Sequence, residues 1–227
     1  MVKQDLIDKC PVRYFDEAAR GGLKPGQLGL VTAKKGFGKT SILVQFGLDS
    51  LLFDRHLVHV SFDQHSSNVI AWYESILAEI CKKKNIESYE EFADSIIRDR
   101  TILNFNQEAF TLPKVVNTIK SLKEGGIKVS ALVIDGVNLK NVPAEDLNVV
   151  ADFAKSENLV VWFSDTNENA DLASTVSSDK ESYFATVAHI APGKEGLYIS
   201  VLKADGAPLE SSTVKLDTKT LLMCKKD

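Results

Sequence analysis

Cysteine is scarce in this chain of 227 residues. The three cysteines are odd in number and far apart in the sequence, and they are Cys10, Cys81 and Cys224. An odd, scattered set without a Cys-x-x-Cys pair argues against a disulfide framework and against a zinc site. The four histidines show no metal-ligand spacing either, so we interpret them as structural or surface residues. This cysteine usage favours a reducing compartment, and we expect the protein in the cytoplasm.

Long apolar runs and an excess of positive charge are also missing. No run approaches the roughly 20 apolar residues that a membrane span needs, and residues 1–5 contain no apolar signal core, so we expect no membrane contact. The net charge is −4, which gives no indication of a nucleic-acid-binding protein. A content of 44% hydrophobic and 26% charged residues fits one globular domain over residues 1–227.

The most informative segment that the chain does contain is LGLVTAKKGFGKTS, at residues 28–41. Its first part predicts a buried strand and its last part the start of a helix. Glycines between them let backbone N–H groups converge on phosphate oxygens, and the helix adds the positive end of its dipole. The spacing predicts a P-loop, although Ala33 stands where the strict pattern has glycine. The alternative is a structural turn without a ligand.

The predicted nucleotide-binding residues lie in this loop and at the start of the helix, and they are Lys35, Gly36, Phe37, Gly38, Lys39, Thr40 and Ser41. Lys39 can reach the β- and γ-phosphates of ATP, which makes it a candidate catalytic residue as well. The Thr40 hydroxyl can bind Mg²⁺. We therefore expect ATP and Mg²⁺ as the ligands of this loop.

A second strand supplies an acidic partner for the loop. The run SALVIDG at residues 130–136 predicts a buried parallel strand, with Asp135 at its carboxyl end, where open α/β sheets bind ligands. A carboxylate there can hold Mg²⁺ or its water shell from the side opposite Thr40. The alternative is an aspartate that caps a turn before Gly136.

Strands and helices alternate over the first two thirds of the chain, as is typical of a parallel sheet flanked by helices. The predicted strands of this part are 28–32, 57–62, 101–105, 130–135 and 159–163. The predicted helices are 11–20, 39–53, 68–83, 89–98, 112–123 and 143–158. After a polar loop at 165–182, segments 183–190, 197–202 and 213–216 predict antiparallel strands. The fold class is therefore α/β, with a mostly parallel central sheet and antiparallel C-terminal strands.

The segment YFDEAARGGLKPGQL at residues 14–28 resembles the lead-in of the RecA superfamily, in particular of KaiC-like and replicative-helicase-like ATPases. In that superfamily a helix ending in paired glycines precedes the first strand and the P-loop. The order and spacing of later segments also match, from about residue 8 to residue 223. The resemblance implies a RecA-like P-loop NTPase fold and an ATPase activity.

The resemblance also implies a catalytic carboxylate at Asp63, where the family places the glutamate that polarises the attacking water. Aspartate is one methylene shorter than glutamate, and Gln64 is the alternative match for this position. A third interpretation is that Asp63 caps the helix that begins near residue 66.

Other positions depart from the family pattern. Ring-forming members present a lysine and an arginine, two residues apart, to the neighbouring subunit, whereas this chain has Lys203 followed by Asp205. Asp165 stands where the family has a neutral glutamine near the γ-phosphate. A carboxylate repels the charge that an arginine finger stabilises. The sequence therefore predicts slow hydrolysis, or a second copy or another protein that supplies the missing cation.

Three functional hypotheses follow. The first is a Mg²⁺·ATP-binding RecA/KaiC-like ATPase with slow hydrolysis, and the second is a nucleotide-dependent interaction module. The third and least favoured is a DNA-dependent motor, because the loop at 164–181 carries five carboxylates against the single cation Lys180 and no aromatic residue. DNA-binding loops need cations for phosphates and rings for stacking, so tight DNA binding is not expected.

Overall fold

One sheet extends through the computed structural model, which describes residues 2–62, 64–86, 90–105 and 111–225. The strands in these residues are β1 (Leu28–Ala33), β2 (His56–Ser61), β3 (Arg100–Asn104), β4 (Val129–Asp135), β5 (Val160–Thr166), β6 (Phe184–Gly193), β7 (Gly196–Ala204), β8 (Ala207–Leu216) and β9 (Met223–Cys224). The α-helices are α1 (Val2–Asp8), α2 (Val12–Ala18), α3 (Lys39–Leu52), α4 (Ser66–Lys83), α5 (Glu90–Ile97), α6 (Leu112–Glu124), α7 (Ala144–Glu157), α8 (Leu172–Thr175) and α9 (Ser178–Glu181). A 3-10 turn, Leu139–Asn141, follows β4.

The strand order is β3-β2-β4-β5-β1-β6-β7-β8-β9. All pairings from β3 to β6 are parallel, and those from β6 to β9 are antiparallel. The predicted fold class, α/β with antiparallel C-terminal strands, is confirmed. The parallel strands are apolar because helices cover both of their faces, and all of β1 is buried. Since β1 pairs with β5 and β5 with β4, the carboxyl ends of these three strands meet at one edge.

The element bounds differ from prediction where short-range signals were weak. The loop at 165–182, predicted as irregular, contains the short helices α8 and α9. Strand β8 begins at Ala207, six residues before the predicted start at 213. Helix α1 precedes the first predicted helix. Each difference lies in a polar segment, where hydrophobic periodicity carries little information.

Aromatic packing fixes the helical layer over β1 and β5. The Trp162 ring of β5 stacks on Phe46 of α3, with centroids 4.1 Å apart and planes 7° apart. Phe15 of α2 meets both rings edge-on. On β1, Gly29 lies opposite Trp162, and a Cβ at Gly29 would come within 2.5 Å of the indole. The glycine therefore makes room for the ring that holds α3, the helix after the P-loop.

A buried amide joins α3 to the C-terminal segment. Gln45 is inaccessible to solvent; its side chain donates to the Leu221 carbonyl at 3.0 Å and accepts from the Met223 N–H at 3.0 Å. A buried polar side chain is tolerated when its hydrogen bonds are made. This pair of bonds brings the end of the chain beside the P-loop helix. None of the helices in the described ranges has the length and apolar character of a membrane span.

The Gly29–Trp162 contact gives a stability prediction. Gly29→Ala should lower the free energy of unfolding by about 1–3 kcal/mol, because the indole is clamped by Phe46 and cannot move away from a new methyl group. Urea unfolding followed by circular dichroism measures the change. Trp162→Leu removes the obstructing ring, so in that background Gly29→Ala should lower the free energy of unfolding by clearly less than it does in the wild type. An equal cost in both backgrounds would contradict the packing argument.

Candidate functional site

The predicted P-loop connects β1 to α3 and has the backbone that a phosphate cradle requires. Gly36 and Gly38 have φ values of 88° and 85°, in the left-handed region that side chains disfavour. Lys35 and Gly36 are exposed, whereas Phe37 is partly buried and packs on the core. The loop is therefore open on one side and anchored on the other.

The N-terminus of α3 carries groups suited to an anion. Gly38 is the residue that precedes the helix and has no side chain to cap it, so the first N–H groups are left for a ligand. The Ser41 hydroxyl is buried and has no hydrogen-bond partner among the described residues. Ser41 also lines the cleft in front of the loop. An orphaned hydroxyl at a helix start is what a phosphate oxygen would satisfy.

Lys39 begins α3 and its ammonium lies at the loop. It donates to the Ala33 carbonyl at 3.4 Å, which folds the side chain back over the loop. It also interacts electrostatically with Asp165 at the end of β5. The position is compatible with contact to a phosphate chain held by the loop.

Thr40 and Asp135, the two candidate metal ligands, lie in direct contact. The Thr40 hydroxyl donates to Oδ2 of Asp135 at 2.8 Å, and Asp135 is buried. Two oxygen ligands of the kinds that Mg²⁺ prefers thus lie in contact at the mouth of the loop. The alternative of a turn-capping aspartate does not explain why this carboxylate faces α3.

The Asp135 carboxylate is kept ionised although it is buried. Burial opposes ionisation, but the His59 imidazole and the hydroxyls of Ser164 and Thr40 outweigh it, so the pKa of Asp135 is lowered. Ser164 of β5 donates to Oδ1 at 2.5 Å and accepts from the Gly136 N–H at 2.9 Å. Nε2 of His59 lies 3.9 Å from Oδ2 and has no hydrogen-bond partner in the described residues.

His59 is fully buried, which agrees with its interpretation as a structural or surface residue, but the sequence did not indicate that it lies against Asp135. It lies on β2, and its Nδ1 is 2.9 Å from the Tyr73 hydroxyl of α4. Tyr73 in turn stacks under the Arg100 guanidinium, 4.8 Å from its ring centroid. A Cβ at Gly47 would collide with the Tyr73 hydroxyl, so that glycine lets the two helices approach. No local pattern in the sequence links these residues, because they come from four elements.

Gln64, the alternative match for the water-polarising residue, lies at the cleft. Asp63 lies outside the described residues. The Gln64 side chain lines the cleft and donates to the Thr40 oxygen at 3.0 Å. Its backbone is held by Ser61, which accepts from the Gln64 N–H at 3.1 Å, and by the Asn104 side chain, which donates to its carbonyl. The amide of residue 64 therefore faces the candidate metal ligands.

Asp165 brings a carboxyl group beside the loop. It is 5% exposed and pairs in register with Thr32 of β1. Burial raises the pKa of Asp165 to about 6, against the opposing effect of backbone hydrogen bonds and of Lys39 and Lys140. At neutral pH most of these carboxyl groups are ionised, so a negative charge lies near the loop where a neutral residue was the family expectation.

Lys203 and Asp205, which the resemblance compares with the family's paired cations, are both engaged within the chain. Lys203 is 5% exposed; it donates to the Glu181 carbonyl at 2.9 Å and lies 3.3 Å from the Glu181 carboxylate. Asp205 accepts from Lys24 at 2.9 Å. Lys180, the one cation of the loop at 164–181, is also buried and donates to the Leu139 carbonyl at 2.7 Å.

The cleft in front of the loop measures about 580 Å³. Besides residues of the loop, its lining includes Gln64, Trp72, Asp135, Thr166 and Leu221. Trp72 and Leu221 were not predicted as site residues. Trp72 reads in the sequence as one more residue of an amphipathic helix, and Leu221 reaches the loop only through the tertiary path of the C-terminal segment.

Comparison with known proteins agrees with this geometry. The model of the family described as "ATPase: KaiC" matches residues 9–163, from before α2 into β5, and so includes the P-loop and Asp135. A search of curated proteins gives no match to the chain. The matched region is more than half of the chain, and the remainder supplies the antiparallel strands. The chain belongs to the KaiC family of ATPases, within the RecA superfamily of P-loop proteins.

Proposed function

We propose that this chain binds Mg²⁺·ATP in the cleft between the P-loop, β4 and α4, and hydrolyses it slowly. The observation that carries the proposal is the contact between Thr40 and the buried, ionised Asp135 at the mouth of a loop whose helix start is uncapped. Membership of the KaiC ATPase family supports the same ligand class.

The residues present fit the phosphates. The N–H groups at the start of α3 can donate to them, and so can the Ser41 hydroxyl, which has no partner within the described part of the chain. The Lys39 ammonium can leave the Ala33 carbonyl for phosphate oxygens. The long bond to Ala33 is weak, so its loss costs little. These groups also stabilise negative charge that builds up on the phosphates during transfer.

Thr40 and Asp135 are the residues that would hold Mg²⁺. When bound, the ion neutralises charge on the β- and γ-phosphates. Two protein oxygens suffice, because Mg²⁺ keeps several waters and takes the rest of its ligands from phosphate. The described residues contain no cluster of three or more His, Cys, Asp or Glu side chains that could hold a metal. The Thr40 oxygen has two lone pairs, so it can bind the ion with one and continue to accept from the Gln64 amide with the other.

Slow hydrolysis is proposed because several groups are unsuited to fast chemistry. The Gln64 amide can orient a water molecule but cannot accept its proton, which leaves Asp63 as the candidate base. The Asp165 carboxylate opposes negative charge near the phosphates. Lys203 is committed to Glu181, so a second cation would have to come from another copy or another protein.

A nucleotide-dependent interaction module is the second candidate. The engagement of Lys203 and Asp205 in contacts within the chain favours it, since a chain that cannot complete its own site could still change shape with bound nucleotide. A DNA-dependent motor receives no support from the loop at 164–181, whose one lysine is turned inward. Calorimetry of ATP binding together with a phosphate-release assay separates the ATPase from the interaction module, because only the ATPase shows turnover.

The first functional prediction concerns the loop lysine and the metal pair. Lys39→Ala should weaken ATP binding at least about tenfold, as expected for the loss of a charge-assisted contact. Asp135→Asn should weaken binding only when Mg²⁺ is present. Isothermal calorimetry with and without Mg²⁺ measures both effects, and Lys34→Ala, at an exposed neighbouring lysine, is the control that should change affinity less than about twofold. Equal affinity in wild type and Lys39→Ala would remove the P-loop assignment.

The second prediction separates the two candidates for water activation. Asp63→Asn should lower the rate of phosphate release while leaving ATP affinity unchanged, because a general base acts only in the chemical step. Gln64→Ala should lower the rate less, since an orienting amide is replaceable by water. If Asp63→Asn keeps the wild-type rate and Gln64→Ala does not, the assignment moves to Gln64.

The third prediction is a pH dependence that arises from Asp165. Asp165→Asn should tighten ATP binding several-fold at pH 8, where the carboxylate repels phosphate, and have little effect at pH 5, where the wild-type group is protonated. The folded state raises this pKa, so wild type loses stability as pH rises through about 6, and the variant loses less, because Asp16, whose pKa burial also raises to about 6, titrates in both proteins. Calorimetry and thermal unfolding across pH measure both. Asp179→Asn removes an exposed charge as control, and a pH-independent gain in affinity would contradict the prediction.

A further inference from the structure

One wall of the cleft is lined by apolar side chains, whereas the rest is lined by charged and polar groups. Trp72 of α4 and Leu221 of the C-terminal segment line the same cleft as Lys39, Thr40 and Asp135. Both side chains are partly buried. A ligand anchored by its phosphates at the start of α3 would extend along this cleft, and an apolar wall within reach is suited to a ring rather than to more charge.

Leu221 is held against the P-loop by a strained turn. Its φ is 58°, in the left-handed region that leucine rarely adopts, and such conformations persist only where surrounding contacts enforce them. Its Cδ1 lies 2.9 Å from the place that a Cβ on Gly38 would take. Gln45 fixes the turn from inside α3, and Lys83 pairs with Asp217 where the turn begins.

The polar groups of this turn are already satisfied within the chain. The Leu221 N–H donates to the Asp217 carbonyl at 2.9 Å, and the Leu221 carbonyl accepts from Gln45 at 3.0 Å. The Leu222 carbonyl accepts from the Asp217 N–H at 2.9 Å, and the Met223 N–H donates to Gln45. The wall therefore offers carbon atoms to a ligand instead of donors and acceptors that could read the edge of a base.

Trp72 supplies an aromatic surface beside that wall. It stands on α4 one residue before Tyr73, which points into the core, whereas Trp72 borders the cleft. Indole rings stack on nucleobases of any kind, because every base has a π-face. The chain has only one other tryptophan, Trp162, which is 5% exposed and stacked on Phe46.

We propose that the base of the bound nucleotide packs on Trp72 and Leu221 and is held there by apolar contact without edge recognition, so that ATP and GTP bind with similar affinity. The inference rests on the proposed function, since it assumes that the triphosphate occupies the P-loop. Sites that discriminate strongly between similar ligands contain buried polar groups, which hydrogen-bond the right ligand and are left unpaired by the wrong one. The remaining polar side chains near Trp72 and Leu221 do not form such a set of buried groups, because Thr166 is exposed and the Gln64 amide is hydrogen-bonded to Thr40.

The test compares ligands that share phosphates but differ in the base. Calorimetry with Mg²⁺ should give affinities for ATP and GTP within about threefold of each other, and inorganic tripolyphosphate should bind at least tenfold more weakly than either, because stacking supplies on the order of tenfold or more in affinity. Leu221→Ala and Trp72→Ala should each weaken ATP and GTP binding about tenfold and leave tripolyphosphate binding unchanged.

Intrinsic fluorescence gives an independent readout. Mg²⁺·ATP should quench tryptophan emission in wild type and in Trp162→Phe, but not in Trp72→Phe. Equal affinities for ATP and tripolyphosphate, a preference of more than tenfold between ATP and GTP, or quenching that persists in Trp72→Phe would each overturn the base site. Failure of the proposed function looks different, because then neither the nucleotides nor tripolyphosphate would bind and Lys39→Ala would change nothing.

Discussion

The contact between Thr40 and Asp135 joins segments 95 residues apart, and the candidate site depends on it. It exists because β4, β5 and β1 are adjacent and parallel, so their carboxyl ends meet at one edge of the sheet. A hydrogen bond to a charged group contributes about 1.5–3 kcal/mol, which is too little to set the fold but enough to fix one side chain. The sheet places the two residues, and the bond then holds them ready for a cation.

A shell of buried polar groups makes this carboxylate tolerable. An ionised aspartate that is 3% exposed is costly unless it accepts hydrogen bonds, and Ser164 and Thr40 provide them. His59 adds its Nε2, which has no hydrogen-bond partner among the residues that the structure describes, on the Oδ2 side of the carboxylate. The hydrogen bond between His59 and Tyr73 links β2 to α4, which is also the helix that carries Trp72 at the cleft. The phosphate side and the proposed base side of the cleft are thus built on shared elements.

The lysines of this chain illustrate why similarity in sequence does not carry function to every position. The resemblance compares Lys203 with a cation that acts on a neighbouring subunit, but Lys203 lies outside the residues that the family model matches, and the Glu181 carbonyl and carboxylate hold it inside the chain. Lys180 likewise bonds the Leu139 carbonyl. A buried ammonium group needs such partners, because an unpaired buried charge is strongly destabilising. Lys180 and Lys203 are both held by contacts of this kind within the chain.

The sequence by itself determined the elements whose signals are local. The apolar run of β1, the glycines of the loop and the strand ending at Asp135 predicted the α/β class and marked Thr40 and Asp135 as candidate metal ligands, because the spacing of each strand, loop and helix start is encoded within some 15 residues. Only the tertiary structure decided the rest of the cleft. Trp72 and Leu221 line the cleft from separate elements with no shared pattern, and the hydrogen bond from Gln45 to the Leu221 carbonyl holds the last turn beside the loop. The pairing of β2 with β4 brings His59 near the Asp135 carboxylate. Interactions across such sequence distances depend on packing, which periodicity and motif spacing do not record.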